Sequence, residues 1–254
     1  MKKFRRALIT GAAGGLGSQF ARQLAESGAE LVLLDRDQTG LEALAKSLPG
    51  SAQLIVADLS DCEGLENILT RELDPARPVD LLVANAGIDF PVHFTGASWR
   101  AARDHFAINT LSNYVLLDAL VPAMVAAGSG HVIVVASLAA LAPFPGEAPY
   151  CASKTAMAAT IECARAELLP QGIGFTTAYP SFIKTPMIRG NKLKTALAVE
   201  PAEAARLILG AAKDGRLDIA FPTSASLGVK LLGALPAPLR ARVAALLARG
   251  NDAE

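Results

Sequence analysis

The chain has 254 residues, 52% of them hydrophobic, and its 24 Lys and Arg balance its 24 Asp and Glu. That length fits one large α/β domain or two small ones, and the apolar content is ample for a core. A formal net charge of zero excludes the basic footprint of a nucleic-acid binder and any long-range field that would steer a highly charged ligand.

The start Met1-Lys2-Lys3-Phe4-Arg5-Arg6 is basic, but only Ala7-Leu8-Ile9 follows before Thr10-Gly11. That run is too short for a secretory signal. The longest apolar stretch, 131–141, falls short of the ~20 residues that a membrane span needs. No targeting or transmembrane segment is expected. Cys62, Cys151 and Cys163 form no CxxC pair and leave an odd count, so a disulfide framework is not expected and a reducing cytoplasm fits. His93, His105 and His131 stand in no metal-ligand spacing, and no metal is expected.

Short runs rich in Val, Ile and Leu lie at 7–10, 31–34, 54–57, 81–84 and 132–136. Longer stretches with helical periodicity alternate with them, such as Leu16, Phe20 and Leu24 after the first run. Continuous apolar strands alternating with helices predict an α/β fold with a parallel sheet covered on both faces. Right-handed crossovers make that sheet doubly wound and Rossmann-like. No linker or internal repeat divides the chain, so residues 1–254 read as a single domain.

The first strand runs into Thr10-Gly11-Ala12-Ala13-Gly14-Gly15-Leu16-Gly17. Glycines at a strand-to-helix turn let the backbone approach a pyrophosphate, and the helix N-terminus then offers N–H groups to the phosphates. A glycine-rich turn without a ligand is the bland alternative. The second strand ends at Asp35, about 20 residues on, where a carboxylate can accept hydrogen bonds from the adenosine ribose and would repel a 2′-phosphate. That favours NAD over NADP. Arg36 follows directly; it reads as a solvated side chain, although a guanidinium there could instead hold a 2′-phosphate.

Asn109 interrupts a helical stretch at 105–124, where Asn is a poor interior residue. A bent helix with a polar or water-linked role would explain it. Ser137 ends the fifth strand-like run, at the carboxyl edge where α/β ligands bind. Tyr150 and Lys154 stand four apart and share one face if helical. An ammonium near a phenol favours the phenolate, and the phenol then trades protons with an alcohol or ketone. A surface Tyr–Lys pair is the bland alternative for this spacing alone.

After Pro180 the chain carries Pro186, Pro201, Pro222, Pro236 and Pro238 between short helical pieces. This region, about 181–254, reads as a helical cap or subunit contact, with helices clearest at 202–212 and 239–249. Leu239, Val243, Leu246 and Leu247 fall on one face of the last helix, with Arg240, Arg242 and Arg249 elsewhere. Such a helix can lie on a membrane surface. Covering its own core or a partner subunit is the favoured expectation.

Taken together these pieces resemble the short-chain dehydrogenase/reductase family, in its compact branch of about 250 residues. The resemblance covers roughly residues 5–190 and rests on Thr10-Gly11-xxx-Gly15-x-Gly17, Asp35, Asp58-Leu59, Asn85-Ala86-Gly87, Asn109, Ser137 and Tyr150-xxx-Lys154, in the family's order. It implies that Asp58 and Leu59 line an adenine pocket and that Asn85, Ala86 and Gly87 stabilise the fourth strand's end. Asn109, Ser137, Tyr150 and Lys154 would form the catalytic set, with Lys154 also binding the nicotinamide ribose. Similar enzymes carry Pro-Gly after a sixth strand, then a Thr that contacts the nicotinamide amide. Here Pro180 is followed by Ser181, with Ile183 and Thr185 in the matching places. The spacing of Gly11, Gly14 and Gly17 also fits an epimerase-like branch, which needs a longer chain.

The expected activity is hydride transfer between NAD(H) and a secondary alcohol or ketone. Phe144, Met187 and Ile188 point to an apolar substrate, taken up by the segment 138–149 and the stretch after Thr185. The alternatives are an NADPH-dependent 3-oxoacyl reductase and a non-catalytic redox sensor that binds the dinucleotide. The resemblance also implies a homo-oligomer formed through the helices carrying Asn109 and Tyr150.

Overall fold

The computed structural model describes residues 3–96, 99–185 and 198–251. Seven parallel strands form one sheet in the order β3-β2-β1-β4-β5-β6-β7. They are β1 (Arg6–Thr10), β2 (Glu30–Asp35), β3 (Ala52–Val56), β4 (Leu81–Ala84), β5 (Gly130–Val135), β6 (Ile173–Pro180) and β7 (Asp218–Phe221). The order reverses between β1 and β4, so their carboxyl ends diverge and open a crevice there. The doubly wound α/β sheet expected from the apolar runs is present.

Helices α1 (Gly15–Glu26), α2 (Gln38–Lys46) and α7 (Pro201–Lys213) lie against one face. Helices α3 (Cys62–Glu72), α5 (Ser112–Ala126) and α6 (Ala148–Leu168) lie against the other. Phe20, Leu24, Leu33, Ile208 and Leu209 fill the first interface, and Leu65, Leu116, Leu120, Ile161 and Phe175 the second. Each such side chain contributes roughly 1.5–3 kcal/mol on burial. β1, β4 and β5 are buried along their whole length, which accounts for the apolar runs at their centres; the buried Arg6, Thr10 and His131 stand at the ends of β1 and near the start of β5.

Three features depart from the expected elements. The seventh strand, β7, is a four-residue edge strand, Asp-Ile-Ala-Phe, whose charged exposed start leaves no apolar run like that of the equally short β4. β3 starts two residues before the apolar run at 54–57, because pairing with β2 recruits Ala52 and Gln53 opposite Leu31 and Val32. The helix expected at 105–124 is a continuous helical run, α4 (Trp99–Phe106) then α5, interrupted by a π-helical turn at Ala107–Leu111. The turn's carbonyls are re-satisfied by side chains: Asn113 Nδ2 donates to Asn109 O at 3.0 Å and Ser112 Oγ donates to Ile108 O at 2.8 Å. Among the described residues, Trp99–Ala126 alone is long and apolar enough to cross a membrane. Leu116, Leu120 and Met124 sit in the core, so it is built in as a core helix.

The chain ends in α8 (Thr223–Ala234) and α9 (Ala237–Asn251). Arg240 Nη1 donates to Gly233 O at 2.9 Å and ties the two together.

Candidate active site

A cleft of about 1410 Å³ opens at the carboxyl ends of the strands. Its first end is built mostly from backbone. Gly11 adopts φ +62°, and a Cβ on Gly17 would collide with the Gly11 carbonyl. Only glycine leaves that turn open. α1 then begins with no side-chain cap and no acidic residue in its first turn, so its leading amides carry no side-chain partner. A cradle of this kind fits a pyrophosphate. Thr185 closes over it: a Cβ on Gly15 would sit 2.9 Å from Thr185 Cγ2.

Asp35 is held at the end of β2 by two amides, Ala13 N at 3.0 Å and Asp37 N at 3.1 Å. Arg36 is exposed beside it at the cleft wall. The Asp58 carboxyl is held below its ordinary range, first by the Ser60 amide and hydroxyl and then by the Arg36 guanidinium. Asn85 fastens the end of β4 to β1. Its amide donates to Thr10 Oγ1 at 3.0 Å and its Nδ2 to Thr10 O at 2.9 Å.

The other end is built from side chains. Ser137 follows β5, and its hydroxyl is the strongest influence holding the Tyr150 pKa down. Burial outweighs that influence and pushes the phenol well above its ordinary value. Lys154 is buried, and its Nζ donates to Val135 O at 2.9 Å. It lies 5.9 Å from the centroid of the Tyr150 ring. Burial pushes its pKa down to about 8, against the pull of Asp89.

The i, i+4 spacing thus brings the Lys154 ammonium beside the Tyr150 ring while one of its protons is held by the Val135 carbonyl.

Asn109 does not line the cleft. Its Oδ1 accepts from Ile88 N at 2.8 Å, and its Nδ2 donates to Ile88 O and to Ser153 Oγ, each at 3.0 Å. It fastens the segment after β4 to α6 from behind. Lys154 Nζ and Asn109 Oδ1 converge on Gly87, where a Cβ would meet them at 3.1 and 3.2 Å.

The cleft thus gathers Gly11, Gly14, Gly15, Leu16, Gly17, Asp35, Arg36, Asp58, Leu59, Asn85, Ala86, Gly87, Ser137, Tyr150, Lys154, Pro180, Ile183 and Thr185, every expected site residue except Asn109. Phe144 also lines it, whereas Met187 and Ile188 lie outside the described residues. Sequence reasoning missed Asp89, whose charge acts on both Tyr150 and Lys154. A carboxylate two places beyond Gly87 was the available signal. It also missed His105, which packs against Phe90 with the rings tilted 48° and centroids 4.3 Å apart and meets the Tyr150 ring edge-on at 6.5 Å. No group of His, Cys, Asp and Glu among the described residues is arranged to hold a metal ion.

The short chain dehydrogenase family model matches residues 5–195. The chain belongs to that family. An uncharacterized oxidoreductase from Myxococcus xanthus is 30% identical over 241 residues, covering 93% of this chain and 94% of the relative. A fatty acyl-CoA reductase from Acinetobacter baylyi is 32% identical, covering 82% of this chain and 72% of that protein. Dehydrogenase/reductase SDR family member 7B of Xenopus tropicalis is 34% identical over 70% of this chain, which spans 60% of that protein's length. Among solved structures, a 3-ketoacyl-(acyl-carrier-protein) reductase from Brucella melitensis complexed with NADH superposes with TM-score 0.79 at 25% identity, covering 85% of this chain and 96% of the other. A Beutenbergia cavernae protein with bound NADP superposes with TM-score 0.77 at 27% identity, covering 85% and 94%. This short chain dehydrogenase therefore shares its sheet with relatives that hold either nicotinamide dinucleotide.

Proposed function

We propose that this short chain dehydrogenase interconverts a ketone and a secondary alcohol with apolar substituents, using NAD(H). One observation carries the reading: the open glycine turn and the side chains of Ser137, Tyr150 and Lys154 face a single cleft. When bound, the dinucleotide supplies the hydride donor or acceptor. The α1 amides and Gly11, Gly14, Gly15, Leu16 and Gly17 would hold its pyrophosphate. Asp35 would hold the ribose, Asp58 and Leu59 the adenine, and Lys154, Ile183 and Thr185 the nicotinamide half.

The residues' own chemistry follows from their pKa directions. A raised pKa keeps Tyr150 protonated at neutral pH, so in reduction it donates its proton to the carbonyl oxygen. Ser137 holds that oxygen and then donates to the phenolate that Tyr150 becomes. In oxidation the phenolate must form first, which the Ser137 hydroxyl favours. Lys154 stays charged below about pH 8 and offers its charge beside the ring. Asn109 positions Ile88 and Ser153 and touches no reacting atom.

Ile88, Phe90, Phe144, Phe182, Leu232 and Leu235 wall the substrate end, which supports an apolar ligand. Arg36 at the cleft wall favours, as a second reading, an NADPH-dependent 3-oxoacyl reductase. Its neighbour Asp58 and the fixed Asp35 carboxylate weigh against it. Leu111 and Tyr114 stay exposed on the π turn and α5, and support a homo-oligomer through that face.

Tyr150→Phe tests the reading. NADH affinity measured by fluorescence should stay within about threefold, while turnover of a panel of apolar ketones falls by about 10²–10⁴-fold. Wild-type turnover in that variant would remove Tyr150 from the mechanism.

A further inference from the structure

The last two helices each leave leucines in water. Leu227 and Leu231 on α8 are 59% and 61% exposed, and Leu239 and Leu246 on α9 are 48% and 66% exposed. This exposed set borders the cleft. Leu231 belongs to both, and Val243, which lines the cleft, stands between Leu239 and Leu246 on one stripe of α9. Of the stripe expected to cover the chain's own core or a partner subunit, Val243 lines the cleft with its neighbour Ala244, Leu239 and Leu246 are exposed, and the side chain of Leu247 lies outside those described.

The charge of this region is positive on balance. Residues 216–254 contain Arg216, Lys230, Arg240, Arg242 and Arg249 against Asp218, Asp252 and Glu254, a net of +2, and the three acids stand outside 219–251. Lys230 and Arg242 are exposed beside the leucines. Pairing this face with a second copy about a two-fold axis would bring no Asp or Glu of residues 219–251 to meet these cations. An anionic surface offers the complementary charge.

We propose that the α8–α9 face docks this enzyme on an anionic lipid bilayer, with the cleft mouth at the interface so that an apolar-chain substrate enters from the membrane. The leucines insert at the level of the acyl boundary and the cations meet the phosphates. The delivery of substrate rests on the proposed alcohol–ketone activity; the docking does not.

Flotation of the full chain with vesicles tests it. Binding to phosphatidylcholine vesicles containing about 30% phosphatidylglycerol should exceed binding to pure phosphatidylcholine by about tenfold or more, and should fall as salt is raised. The triple variant Leu227→Gln, Leu239→Gln, Leu246→Gln should lose binding by about tenfold or more. So should the charge variant Lys230→Gln, Arg242→Gln, which leaves every leucine in place. None of these five residues lines the cleft, so NADH binding and turnover of a water-soluble ketone should be unchanged in both variants. Wild-type protein that stays unbound on anionic vesicles overturns the proposal. So does a triple variant that floats like wild type, or one whose only change is dissociation of a dimer in sedimentation. Intact flotation without turnover of any ketone would instead break the catalytic reading and leave the docking standing.

Discussion

The two ends of the cleft are held by different forces. At the nucleotide end the shape is set by backbone that tolerates no Cβ and by polar side chains with two or more fixed bonds, such as Asp35 and Asn85. At the substrate end α8 and α9 present leucines and two valines, Val229 and Val243, to the cleft, and the neighbouring leucines of the same helices stand in solvent. Hydrogen bonds fix geometry to tenths of an ångström; apolar contact fixes only volume. The first end is suited to one invariant ligand, and the second to a family of shapes.

The largest expected contrast comes from adding one methyl group at the nucleotide end. Gly17→Ala places a Cβ against the Gly11 carbonyl. Relief requires the turn to move, which should weaken NADH binding at least about 100-fold and cost about 1–3 kcal/mol of stability. NADH fluorescence titration and thermal melting read both. Unchanged NADH affinity would show that the turn does not hold the dinucleotide.

A second test separates the two ionisable groups at the catalytic end, the buried Lys154 and the partly buried Tyr150. The Lys154 pKa is lowered from 10.5 to about 8, so between those values the unfolded chain binds a proton that the folded one does not. Stability of the ligand-free protein should therefore rise with pH across that window. Tyr150 opposes it above about pH 10: its raised pKa keeps the folded form protonated while the unfolded form ionises, and stability falls. Lys154→Met should flatten the rise between pH 8 and 10 in melting curves. In the wild type, ketone reduction should decline above about pH 8 as the ammonium is lost. A flat rate from pH 7 to 10 would show that its charge is not used.

How much of this was legible in the sequence follows the same division. Gly11, Gly14, Gly15 and Gly17 stand out because backbone that must turn tightly leaves a compositional mark. Asp35 and Ser137 stand out because strands end where their apolar runs end. Contacts set by packing leave no such mark. Nothing in the spacing of Asn109 shows that its amide faces Ile88 and Ser153 rather than the cleft, because a π turn shifts its direction. His105 looks like any helical histidine until Phe90 and Tyr150 close on it. The α9 leucines read as a buried stripe by periodicity, and only the position of the helix at the cleft rim leaves Leu239 and Leu246 outside.

Asp35→Ser should move the ratio of NADH to NADPH affinity by about tenfold toward NADPH, since it removes the charge that opposes a 2′-phosphate and leaves Arg36 beside it. Parallel titrations check it. If the ratio does not move, Arg36 and Asp58 set the preference instead.

The smallest effect is the most specific to the substrate end. Gly228 lies inside α8, lines the cleft, and has open space where a Cβ would stand. Gly228→Ala meets nothing and raises helix propensity, so it should stabilise the protein by about 0.5–1 kcal/mol. The same methyl group that is ruinous at Gly17 is thus an improvement here, as judged by stability. It also takes volume from the cleft's apolar wall. Short ketones should be reduced at unchanged kcat/KM, and longer ones with a KM raised a few-fold and kcat preserved. That split follows because the methyl group stands on the wall of α8, apart from Ser137 and Tyr150, and alters binding alone. An equal loss for ketones of every chain length would mean that Gly228 borders the reacting carbon, and that α8 is part of the catalytic end after all.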